Sequence, residues 1–120
     1  MRDFRELQVW RKAHDLVLAC YRSTCDFPRA ETFGLTSQIR RSSASIAANI
    51  AEGCGRHGDG KFHRFLQIAM GSVSELDYHL LLSRDLSYLP AESYGSLRDK
   101  VLELKRMLVA LVKKVDSAKT

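Results

Sequence analysis

Residues 38–53 read QIRRSSASIAANIAEG, and this stretch decides the fold. Its bulky apolar residues, Ile39, Ile46 and Ile50, recur at helical spacing, while Ser42, Ser43, Ala44, Ser45, Ala47, Ala48 and Ala51 between them are all small. A helix this thin lets neighbouring helices come close along its length. Arg40 and Arg41 stand near its start, and Gly53 supplies a C-terminal stop. The expectation is a small all-α protein, a bundle packed around this helix.

Working outward, residues 1–6 form a charged lead-in. Leu7, Trp10, Ala13, Val17, Cys20, Tyr21 and Thr24 then fall on one face of a first helix spanning about 6–25. Asp26-Phe27-Pro28 ends it, because the residue before a proline is pushed out of the helical region. A short connection follows, with room for a helical turn at Arg29 to Thr32. Leu35 or Thr36 opens the central helix, about 36–52, with Thr36 the expected N-cap. The run from Gly53 to Gly60 holds four glycines in eight residues and reads as a loop. It matches neither a Walker nor a dinucleotide fingerprint, so a plain helix connection outweighs a phosphate cradle.

Asp59 is the expected N-cap of a third helix, about 60–87, carrying Phe62, Phe65, Leu66, Ala69, Ser72, Val73, Leu76 and Leu80 by threes and fours. Gly71 in mid-helix costs about 1 kcal/mol of helix propensity, which a close helix crossing would explain. Pro90 in a first turn opens a fourth helix, about 91–115. There Tyr94, Leu97, Val101, Leu104, Leu108, Leu111 and Val115 are spaced alternately three and four apart, a sustained heptad seam. A second stripe, Leu102, Val109 and Val112, lies outside that seam and is the candidate oligomer interface. The tail from Lys113 is basic and expected to fray. Four such helices with short links make one antiparallel up-down-up-down four-helix bundle over 1–120 the simplest arrangement.

The 120 residues are the size of one domain, 45% hydrophobic and 28% charged, which is globular rather than disordered. Nineteen Lys and Arg against 14 acids leave a net charge of +5, which suits an anionic partner. Cys20, Cys25 and Cys54 form no CxxC pair, which fits a reducing cytoplasm, and Cys20 and Cys25 read as small apolar filler. No signal core or membrane span is expected.

No residue set carries catalysis. His14, His57, His63 and His79 form no metal-binding helix pattern, and Glu75 with His79 reads as a surface hydrogen-bonded pair. Ser42, Ser43 and Ser45 lack an activating base. Neither enzyme, cofactor nor metal is expected. Asn49, alone among Ile and Ala, should be partly buried and fix helix register, with ligand contact as the alternative. The cations fall into two sets. Arg40, Arg41, Arg56, Lys61 and Arg64 flank the second and third helices; Arg98, Lys100, Lys105, Arg106, Lys113 and Lys114 lie on the fourth. Trp10, Tyr21, Phe62 and Phe65 read as core, which leaves a phosphate-binding surface rather than a base reader, or a solvated helix face.

The segments FRELQVWRKAHDLVLACY, FPRAETFGLTSQIRRSSASIAANIAEG and FHRFLQIAMGSVSELDYHL resemble the four-helix bundle proteins encoded in intervening sequences of bacterial 23S rRNA genes, the S23-type family. The likeness covers about Phe4 to Tyr88 by motif and the last helix by pattern. It implies a homo-oligomer, a pentamer, in which five subunits of +5 would carry about +25. The family is also similar to the basic accessory protein of diversity-generating retroelements. That likeness implies RNA or DNA and a reverse transcriptase or other protein as partners, and makes Arg40, Arg41, Arg56, Lys61 and Arg64 candidates for a nucleic-acid surface. The reading is a non-enzymatic, cytoplasmic accessory protein, the alternative a protein-interaction scaffold.

Overall fold

Side-chain size and periodicity set four helices in a computed structural model that describes residues 3–56 and 58–119. Of the expectations above, His57, the first two residues of the lead-in and the last residue lie outside these. The helices are α1 (Gln8–Ser23), α2 (Leu35–Cys54), α3 (Asp59–Asp85) and α4 (Ala91–Lys119). Each packs against its chain neighbour, and α1 meets α4 to close the ring; among the described residues the backbones of the diagonal pairs, α1 with α3 and α2 with α4, stand farther apart. Tyr88 Oη donates to Glu31 Oε2 at 3.1 Å, which places the α1–α2 and α3–α4 connections at one end. His63 Nε2 and Asp116 Oδ1, 2.9 Å apart, join the start of α3 to the end of α4 at the other. This is the expected antiparallel four-helix bundle, 47 Å long. No helix among the described residues is long and apolar enough to cross a membrane.

The core repeats the sequence pattern with shifts. Tyr94, Leu97, Val101, Leu104, Leu108 and Val115 are buried along α4, and Leu111 is partly so. That helix continues to Lys119, so the tail is helical rather than frayed. On α1 the buried face is Val9, Ala13, Leu16, Ala19 and Cys20. Tyr21, expected in the core, is 43% exposed, because Leu16 and Cys20 pull the buried stripe to one side of it.

In α2, Ile39, Ile46 and Ile50 are fully buried, and Ser42 and Ser43 lie beside them. The two serines bury no unpaired hydroxyl: Ser42 Oγ donates to the Gln38 carbonyl at 2.7 Å and Ser43 Oγ to that of Arg40 at 3.0 Å. Asn49 Nδ2 donates to the Ser45 carbonyl at 2.8 Å and to Ser45 Oγ at 3.1 Å. Ser45 Oγ in turn meets Ser72 Oγ of α3 at 2.9 Å, so a polar chain runs from Asn49 across the α2–α3 seam and opposes slippage of one helix on the other.

The helix ends depart from expectation in instructive ways. Thr36 is not the cap of α2. The Leu35 N–H donates to Glu31 Oε1 at 3.0 Å, so a carboxylate from the preceding 3-10 turn does that work while its other oxygen accepts from Tyr88. That acceptor raises the Tyr88 pKa above its usual 10.0. Asp59 is the first residue of α3, not its cap, and Gly58 precedes it at φ +90°, a conformation that favours glycine. The connection is shorter than the glycine run, since α2 continues to Cys54 and only 55–58 lie between it and α3. Nor does Gly71 mark the α2–α3 crossing, for a Cβ there would meet nothing within 4 Å. The tight contact is at Gly53, where a Cβ would lie 3.0 Å from both Phe62 Cδ1 and Phe65 Cβ.

No disulfide joins the cysteines, and their environments differ sharply. Burial pushes the Cys20 thiol up from 9.0 to about 12, against a weaker lowering by a hydrogen bond with Ser43. The folded state thus holds this proton more tightly than the unfolded chain. Its contribution to stability is complete below pH 9.0 and is lost as pH rises toward about 12. Cys25 is exposed and Cys54 buried. Iodoacetamide at about pH 8 is expected to modify Cys25 quickly and Cys20 and Cys54 far more slowly until denaturant is added. Peptide mass mapping reads this, and equal rates at all three sites would contradict the packing.

Candidate nucleic-acid interface

The five candidate cations do not form one surface. Arg40 is spent inside the fold: its Nε donates to Thr24 Oγ1 at 2.9 Å and its Nη2 to the Tyr21 carbonyl at 3.3 Å, with the guanidinium 4.6 Å from the Tyr21 ring centroid. It therefore satisfies the C-terminal turn of α1, whose last carbonyls have no helical partner. Arg41 beside it is exposed and makes no hydrogen bond or ion pair among the described residues. Arg56 lies sixteen residues beyond Arg40, about 24 Å along the helical path.

Arg56, Lys61 and Arg64 do come together. Gly53 lets α3 pack tightly on α2, the connection 55–58 is short, and the first turns of α3 bring Lys61 and Arg64 round to Arg56. With Phe65 and Ile68 they line a groove of about 260 Å³. Arg56 Nη2 is 3.5 Å from Glu52 Oε2, and its guanidinium is 5.5 Å from the Phe65 ring centroid. Lys61 and Arg64 are exposed and enter no ion pair among the described residues. Sequence reasoning missed Phe65, which is half-buried at the floor of this groove rather than in the core, and Ile68, which is 42% exposed. Their mixture with charge was the available signal.

The three oligomer-interface candidates separate too. Leu102 and Val109 line an apolar groove of about 470 Å³ on the outside of α4, with Ala110 and the stems of Lys105, Arg106 and Lys113. Val112 instead packs against the core. Among the other cations of α4, Arg98 Nε is 3.3 Å from Asp77 Oδ1 and so belongs to the α3–α4 contact. The Glu75–His79 pair forms as expected, Oε2 to Nε2 at 3.3 Å. No group of three or more His, Cys, Asp or Glu is placed to hold a metal among the described residues.

The model of the 23S rRNA-intervening sequence protein family matches residues 5–110. The chain belongs to that family. Among solved structures, it is similar to a protein of unknown function from the S23 ribosomal protein family of Bacteroides thetaiotaomicron VPI-5482. The two share 27% sequence identity and a TM-score of 0.79, over 88% of this chain and 98% of that one. No curated protein matches. Family membership thus agrees with the bundle, and with the motif segments on α1, α2 and α3.

Proposed function

We propose that this family member is a non-enzymatic, self-associating accessory protein that binds nucleic acid through the phosphate backbone. The observation that carries the reading is the α2–α3 groove, where Lys61 and Arg64 stand exposed and without ion pairs beside Arg56. Arginine presents a planar fork to phosphate oxygens and lysine a point charge, and neither needs a particular base. The start of α3 at Asp59 adds the positive end of a 27-residue helix to the same corner. The net charge of +5 favours the same partner. Self-association rests on Leu102 and Val109, which the bundle leaves outside its core.

The test is a salt series with a structured RNA and a duplex DNA, read by fluorescence anisotropy. Lys61→Ala combined with Arg64→Ala is expected to lower the slope of log affinity against log salt by about 2, one phosphate contact for each cation. Arg40→Ala should leave the slope unchanged, because its donors are committed to Thr24 and Tyr21. Wild-type affinity no higher than that of an unrelated protein of equal charge would refute the proposal. A protein-docking role has one observation in its favour, since Phe33 in the α1–α2 connection is 94% exposed.

A further inference from the structure

We propose that the α2–α3 groove selects single-stranded over duplex nucleic acid, by stacking a base on Phe65 while Lys61 and Arg64 hold the adjoining phosphates. The inference rests on the nucleic-acid reading above and names the form of the partner. Single-strand sites combine unpaired cations with an accessible aromatic face, because every unstacked base offers a π surface. In a duplex those faces are already stacked on one another, so an aromatic floor gains nothing from it.

Phe33, at 94% the most exposed of the described aromatics, stands outside the grooves described above; of the other rings, one meets this requirement. Beside Tyr21 the nearest cation, Arg40, has its guanidinium 4.6 Å from the ring centroid and its donors committed to Thr24 and the Tyr21 carbonyl, which leaves it little to offer a phosphate. Tyr78 lines a groove whose two arginines are already paired, Arg84 with Asp85 and Arg98 with Asp77. The α4 groove has cations but no aromatic. Phe65, half-buried, shares its groove with Lys61 and Arg64, which lack carboxylate partners among the described residues, and with Arg56, which pairs with Glu52.

Its setting favours stacking. The root of the side chain is pinned against α2, where a Cβ on Gly53 would already be 3.0 Å from Phe65 Cβ, so the ring is presented from a fixed base. Ile68 extends the apolar lining, and the planar Arg56 guanidinium, over the ring at 5.5 Å from its centroid, is itself a stacking surface for a base. At about 260 Å³ the groove is below the roughly 300–1,000 Å³ of drug-sized ligand sites, which suits one base rather than a larger ligand.

The experiment measures binding of the full chain to three labelled probes of about twelve nucleotides: oligothymidylate, an abasic strand of equal charge, and a duplex. Wild type is expected to prefer the base-bearing strand by at least about five-fold over both others. Phe65→Leu should abolish that preference without changing affinity for the abasic strand, and Phe65→Tyr should restore it, with circular dichroism checking that each variant folds. Equal wild-type affinity for base-bearing and abasic strands, both still weakened by Lys61→Ala with Arg64→Ala, would overturn stacking and leave the phosphate-binding function standing. Binding that ignores those two cations, or no binding to any probe, would overturn both. The wild-type comparison decides the matter even if Phe65→Leu does not fold.

Discussion

Ser43→Leu is expected to lower the unfolding free energy by about 3 kcal/mol, whereas Ser43→Ala should change it by less than about 1 kcal/mol. Ser43 is fully buried where α2 faces α1, and a hydrogen bond links it to the Cys20 thiol. Its hydroxyl donates to the Arg40 carbonyl within its own helix, so alanine gives up that bond and the weak one to the Cys20 thiol but leaves no charged or strongly polar group unpaired. Leucine must find room for two more heavy atoms between two backbones that small residues hold close. The neighbours on that face, Leu16 and Ile39, are themselves fully buried and have no free space to enter. Urea denaturation followed by far-ultraviolet circular dichroism would measure both variants. A leucine accepted without loss would mean that side-chain size does not set the α1–α2 spacing.

The second large effect concerns assembly. Leu102→Lys together with Val109→Lys is expected to convert self-associated protein to particles of the 13.6 kDa subunit mass, read by light scattering after gel filtration. The two positions are two helical turns apart on one outer stripe of α4. Each new ammonium would be forced into contact with apolar surface beside Lys105, Arg106 and Lys113, so desolvation and like-charge repulsion act together. Neither residue belongs to the bundle core, so helicity should be unchanged. Wild-type protein already at 13.6 kDa would overturn the self-association proposal, and a variant that stays associated would move the interface elsewhere.

The bundle was legible where period and size are local properties. The α4 seam needs only its own spacing, and the thinness of α2 is written in its serines and alanines. Less legible was anything set by the edge of a stripe or by a contact distant in the chain. On α1 the pattern marked a face but not its border, so Tyr21 was placed inside and Leu16 passed over. Mid-helix glycine drew the α2–α3 crossing to Gly71, while the close approach occurs at Gly53, whose partners Phe62 and Phe65 belong to the next helix. Arg40 looked like a surface cation, because its partners Thr24 and Tyr21 lie 16 and 19 residues away. The site was half legible for the same reason. Arg56, Lys61 and Arg64 are near in sequence and meet, whereas the half-exposure of Phe65 depends on how two helices cross.

The ring of contacts has unequal joints. The widest is between α2 and α3, reinforced by the Ser45–Ser72 hydroxyl pair, and the narrowest is between α1 and α4. The shortest of the four helices, α1, thus hangs on α2 by one edge and rests lightly on α4 by the other, like a door leaf on its hinge and latch. Native-state fluctuations will swing that leaf before they part α2 from α3. Each such opening uncovers Cys20 and releases Arg40 from its hold on the end of α1, while the Arg56–Phe65 corner stays shut.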